Sequence, residues 1–123
     1  MSPLRTTAFL ATTDANRAQR FYVDLLGAEL RESTPFSLVV KIGGTMLRIQ
    51  KVEEVCPPPY TALGWQVEDI AADVRSLTER GVKFIHFDGM GQDDAGIWTA
   101  PGGAKVAWFR DPDGQLLSLD QQP

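Results

Sequence analysis

The chain has 123 residues, 43% hydrophobic and 23% charged, which fits one globular domain with an ordinary core. Its 16 acidic residues outnumber 12 scattered Lys and Arg, which argues against a protein that tracks nucleic-acid phosphates. No apolar run reaches 18 residues, and Met1-Ser2-Pro3-Leu4-Arg5 lacks the basic-then-apolar form of a signal peptide, so the expectation is a cytoplasmic protein with no membrane partner.

The first strand signal is Thr6 to Ala11. Asp14 then offers an N-cap carboxylate, Ala18, Phe21, Tyr22 and Leu25 recur at helical spacing, and Gly27 suits a left-handed C-terminal position. Three short strands are predicted near 28–32, 36–42 and 45–51. The proline-rich stretch Glu53 to Pro59 reads as a stiff connector. It contains Cys56, the only cysteine, so no intrachain disulfide forms and a reducing compartment is favoured. No His or basic residue adjoins Cys56 to activate its thiol.

Beyond the connector the order recurs. Tyr60 to Val67 reads as a strand. Asp69 caps a helix with the apolar stripe Ile70, Val74 and Leu77, which Gly81 ends. Strands are predicted near 82–87, 97–100 with 104–110, and 115–119. Asp111-Pro112-Asp113-Gly114 is a strong hairpin turn, since Pro sets φ and Gly accepts a positive one. Asp88 to Ile97, with three glycines and Asp93-Asp94, is the longest irregular segment, and a loop of that length is expected to serve function. Gly43-Gly44 and Gly102-Gly103 read as turns; no helix N-terminus follows either, so neither is a phosphate cradle.

Asp14 and Asp69 stand 55 residues apart, the length of one β-α-β-β-β unit. The predicted fold is α+β, a single domain over 1–123 built of two βαβββ modules, 4–52 and 60–120, joined by linker 53–59. A four-stranded sheet with one helix covers only one face, so two such halves are expected to close their free faces around a small-molecule pocket.

Asp14, Phe21-Tyr22, Leu25-Leu26-Gly27, Val67-Glu68-Asp69-Ile70, Gly81-Val82 and Arg110-Asp111-Pro112-Asp113-Gly114 with Leu116 together resemble the vicinal oxygen chelate superfamily. That superfamily includes glyoxalase I, bleomycin-resistance proteins, fosfomycin-resistance transferases and extradiol dioxygenases. The resemblance spans Arg5 to Asp120 and implies paired modules in an open U-shaped barrel, usually as a homodimer. In metal-dependent members four inward His or carboxylate ligands occupy positions that align here with Thr7, Arg48, Ala62 and Ser118. None is a usual ligand for a divalent ion, and a guanidinium repels one. The only histidine, His86, falls on a different strand. No metal and no cofactor are therefore expected, although Glu68 or Asp120 offers acid for a composite site.

Strand alternation assigns the faces once these positions point inward. Phe9 and Ala11 follow Thr7, Met46 and Gln50 follow Arg48, and Tyr60, Gly64 and Gln66 follow Ala62, while Leu47, Ile49 and Trp65 turn to the core. Trp108, three residues before the Asp-Pro-Asp-Gly turn, resembles a substrate-contacting aromatic of related resistance proteins. The expected ligand-binding residues are Thr7, Phe9, Met46, Arg48, Gln50, Tyr60, Trp98, Trp108 and Ser118. Trp98 is read equally as a ligand lid or a dimer contact. Such a lining suits an organic molecule with a flat or apolar body and a few polar handles. Arg48 would hold a carboxylate or phosphate, or else pair with a neighbouring acid.

Metal-independent sequestration of a small organic ligand, as in bleomycin-resistance proteins, is the leading expectation. The alternative is a glyoxalase-like lyase or isomerase acting on a small carbonyl compound, with Arg48 holding an oxyanion and Asp120, Glu68 or His86 as base. No catalytic residue is assigned.

Overall fold

A computed structural model describes residues 1–123 and resolves the chain into two units, Met1–Pro57 and Pro58–Pro123. In the first unit β1 (Thr7–Thr12) leads into α1 (Ala15–Gln19), and the helix continues as a π-helical stretch over Arg20–Leu25. Strands β2 (Glu29–Ser33), β3 (Ser37–Ile42) and β4 (Thr45–Lys51) follow. In the second unit β5 (Leu63–Gln66) precedes α2 (Ile70–Glu79), then β6 (Trp98–Thr99), β7 (Lys105–Arg110) and β8 (Leu116–Gln121). Each unit forms one open sheet, of order β1-β4-β3-β2 and β5-β8-β7-β6. In both, the strand before the helix runs parallel to the last strand of its unit and the remaining pairs are antiparallel. The fold is thus α+β with the βαβββ order written twice.

Both helices start where a carboxylate can accept otherwise unpaired N–H groups. Asp14 Oδ1 accepts from the Arg17 amide and Asp69 Oδ1 from that of Ala72, each at 3.1 Å. Gly27 and Gly81 then leave the helices at φ +82° and +99°, a conformation other residues adopt only with strain. The first helix departs from simple 3.6-residue spacing. Ala18 is buried in the regular turn and Tyr22 in the wider π turn, while Phe21 and Leu25 remain half-buried.

One face of each sheet holds that unit's core. Leu10, Leu38, Val40, Leu47 and Ile49 are buried in the first unit, and Ala107, Phe109, Leu117 and Leu119 in the second. In the second unit α2 packs on β7 and β8 with Ile70 and Val74 buried. Burying each such aliphatic side chain contributes about 1.5–3 kcal/mol.

Two expected strands are changed. The span 82–87 is not a strand: only the Ile85 amide reaches β7, donating to the Trp108 carbonyl at 2.8 Å. The Gln92 side chain takes the remaining positions, accepting from the Phe87 amide at 2.7 Å and donating to the Ile85 and Gly96 carbonyls at 2.8 Å each. One amide side chain thereby ties the 88–97 loop to the segment before it and removes the groups a sheet ladder would need. The strand expected over 60–67 is regular only over Leu63–Gln66, although the Ala62 amide already donates to the Leu116 carbonyl at 2.8 Å; Pro57 to Pro59 before it supply no N–H donors to a ladder. The strands expected near 97–100 and 104–110 are present as β6 and β7, separated by Pro101-Gly102-Gly103.

The Asp111-to-Gly114 turn is held from its first residue. Asp111 Oδ1 accepts from the amides of Asp113 and Gln115, at 3.0 and 2.9 Å, and Asp111 Oδ2 accepts from Gln115 Nε2 at 2.7 Å. Asp111 and Gln115 are both buried, so Asp111→Ala would leave buried donors unpaired. A loss of about 2–4 kcal/mol is expected in urea denaturation, with Asp111→Asn recovering part of it.

Candidate functional site

On the sheet face opposite the core, the first unit presents three rows across β1, β4 and β3: Thr7–Met46–Lys41, Phe9–Arg48–Val39 and Ala11–Gln50–Ser37. Alternation produces them directly. Leu47 and Ile49 are fully buried, whereas Met46 and Arg48 are half-buried, Gln50 is exposed and Phe9 is 52% exposed. All five residues expected from this unit, Thr7, Phe9, Met46, Arg48 and Gln50, thus share one face. Arg48 Nη1 donates to the Ser37 hydroxyl at 2.9 Å. Its partner is a neutral hydroxyl, and no carboxylate of the first unit forms an ion pair with it.

The corresponding face of the second unit carries the row Gly64–Ser118–Trp108 across β5, β8 and β7. The next row is Gln66–Asp120–Val106, with Trp98 opposite Val106. Trp98 and Trp108 lie with ring centroids 6.1 Å apart, and Phe87 meets Trp108 edge-on at 5.5 Å. These three half-buried rings make a continuous aromatic surface beside the Ser118 hydroxyl. Gly64 leaves that hydroxyl its space, since a Cβ there would sit 2.5 Å from Ser118 Oγ. Trp65 belongs to the opposite face, stacked on Phe109 at 6.5 Å, with Phe84 packed on Phe109 at 5.3 Å.

Tyr60 precedes β5 and is 66% exposed, so strand alternation does not set its direction. Phe87 was absent from the expected set. It lies outside any regular strand, and the Ile85–Trp108 hydrogen bond, not a sequence period, brings it to the aromatic cluster. His86, one residue away, is exposed and lines a different groove of about 660 Å³ between α2 and the 82–97 segment. Val74, Val82 and Ile97 contribute to that groove, together with Glu79, Asp93 and Asp94. Cys56 is exposed, with Glu54 as its polar neighbour.

The metal-dependent members of the resembled superfamily hold a divalent ion, and the residues expected at the corresponding positions do not fit one. Thr7, Arg48, Ala62 and Ser118 provide two hydroxyls, a guanidinium and a methyl in place of imidazoles and carboxylates. Nor do any three His, Cys, Asp or Glu side chains converge elsewhere in a group able to hold a metal ion. No helix is long and apolar enough to cross a membrane.

Solved structures share this fold. An antibiotic binding protein, TnmS3 from Streptomyces sp. CB03234, is 25% identical, with a TM-score of 0.72 over 99% of this chain and 98% of that one. TioX from Micromonospora sp. ML1 is 18% identical, with a TM-score of 0.74 over 98% of this chain and all of that one. A glyoxalase/bleomycin resistance protein/dioxygenase superfamily member from Sphaerobacter thermophilus DSM 20745 is 24% identical, with a TM-score of 0.75 over 98% of both chains. No curated protein matches the chain in sequence. The model of the Glyoxalase/Bleomycin resistance protein/Dioxygenase superfamily matches residues 5–119, and the chain belongs to that superfamily.

Proposed function

We propose that this protein binds a small organic molecule with a flat aromatic body and does so without a resident metal ion. The observation that carries the proposal is the Trp98–Trp108–Phe87 surface beside Ser118. Rings at these separations present π faces and edges to a planar ligand, and the neighbouring hydroxyl supplies one directional polar contact. The similar fold of TnmS3, an antibiotic binding protein, supports a small organic ligand. In this proposal Trp98, Trp108 and Ser118 contact the ligand from the second unit, with Tyr60 as an exposed aromatic beside β5. Thr7, Phe9, Met46, Arg48 and Gln50 are the ligand-facing residues of the first, where Arg48 would accept an anionic or carbonyl oxygen. The proposal also includes a homodimer working in the cytoplasm, for which the superfamily resemblance and the lone Cys56 are the support.

A lyase or isomerase would need a base working with Arg48. Asp120, Glu68 and His86 are the groups that the second unit offers, and Arg48 in the first hydrogen-bonds the Ser37 hydroxyl. The aromatic surface of the second unit is the observation that favours binding.

A thermal-shift screen tests the metal-free claim. Zn²⁺, Ni²⁺, Mn²⁺ and Fe²⁺ are expected to leave the melting temperature unchanged, whereas a planar antibiotic at a hundred times its Kd should stabilise by about 2.7 kcal/mol. A stoichiometric metal retained through purification, or a clear shift with one of these ions, would count against the proposal.

A further inference from the structure

The first unit contains a second feature that the aromatic surface does not use. An open groove of about 710 Å³ is lined by Arg5, Thr6, Arg31, Lys41, Gly44 and Thr45, with Met46 at its side. Three permanently charged or strongly basic side chains from three different segments therefore face one space. Glu29 lies across from Lys41 in the β2–β3 register and is paired with Arg31 at 3.6 Å, the groove's only neighbouring carboxylate contact. Arg5 and Lys41 have no acidic partner within the chain. The charge balance of the units has the same sense. Residues 1–57 hold seven Lys and Arg against six Asp and Glu, a net +1, while residues 58–123 hold five against ten, a net −5. A protein that is acidic overall thus gathers cations at one groove.

We propose that this groove binds a phosphorylated small molecule through its phosphoryl group. Guanidinium forks match phosphate oxygens bidentately, an ammonium adds a point charge, and the hydroxyls of Thr6 and Thr45 can donate to oxygens left over. The volume exceeds that of a phosphate alone and lies within the range of metabolite pockets, which leaves room for the ester's organic part. This site is built from the first unit alone; it shares Met46 with the proposed ligand face, but none of its basic residues belongs to that set.

Calorimetric titration of the whole chain with inorganic pyrophosphate at low ionic strength tests it. Saturable one-site binding is expected, weaker by roughly five- to tenfold in Arg31→Ala and again in Lys41→Ala, as charge-assisted contacts at a solvent-accessible site would give. Glu29→Gln should bind more tightly, because it frees Arg31 and removes a competing charge. Lys83→Ala, which removes an exposed cation in the other unit, should bind as wild type does. Arg31 and Lys41 are exposed, so unchanged melting curves are expected to show that the variants fold. The proposal is overturned by absent saturation, by equal weakening in Lys83→Ala, or by Glu29→Gln failing to tighten binding. Displacement of pyrophosphate by acetate at equal concentration would likewise overturn it, in favour of carboxylate recognition.

Discussion

Trp108→Ala is expected to weaken binding of a planar organic ligand by roughly 30- to 100-fold while the protein remains folded. Trp108 lies at the centre of the aromatic surface, touching both Phe87 and Trp98, so its removal leaves no continuous ring platform. It is only half-buried, and the core lies on the other face of β7, so some stability is lost but not the fold. Titration of ligand into the variant, followed by Trp98 fluorescence, measures the change. Affinity within threefold of wild type would remove Trp108 from the site.

The adjacent position should behave in the opposite way. Phe109→Ala is expected to cost about 3–5 kcal/mol, because it opens a cavity among Trp65, Phe84 and the sheet. Domains of this size have total stabilities of about 5–15 kcal/mol, so the variant should lie near or below the threshold for folding. Urea denaturation followed by circular dichroism checks this. One step along the strand therefore separates a residue that binds from a residue that holds the sheet together. A loss below about 1 kcal/mol would show that the site collapses without a cavity and that the core is not organised around this ring.

That contrast also shows what the amino-acid pattern can reveal. A period of two, anchored on Arg48 and Ser118, places Leu47, Ile49 and Trp65 on the core faces and Met46, Gln50 and Trp108 on the other, and the structure has them there. Both helix caps and the Asp111 turn were likewise legible, since each is a local arrangement of one side chain with amides two to four residues away. The segment around 82–97 was not. Its alternating Val82, Phe84 and His86 suggest a strand, but the Gln92 amide satisfies the backbone groups that a strand would pair. Nothing in the local pattern distinguishes a glutamine that solvates from one that replaces a ladder. Phe87 was missed for the same reason, and with it one edge of the aromatic surface. The π turn after Gln19 was also hidden, because Ala18 and Tyr22 fit ordinary helical spacing as well as the wider one. The basic groove draws on residues from β2, β3 and the chain before β1, which only the sheet order brings together.

The three indole N–H resonances offer the most direct test of the central claim, a planar ligand held by the Trp98–Trp108 surface with no metal required. In chelator-treated, ¹⁵N-labelled protein, a polycyclic aromatic antibiotic should shift the Trp98 and Trp108 signals saturably and leave Trp65, on the opposite sheet face, in place. Shifts confined to Trp65, or shifts of Trp98 and Trp108 that emerge only after a divalent ion is restored, would contradict it.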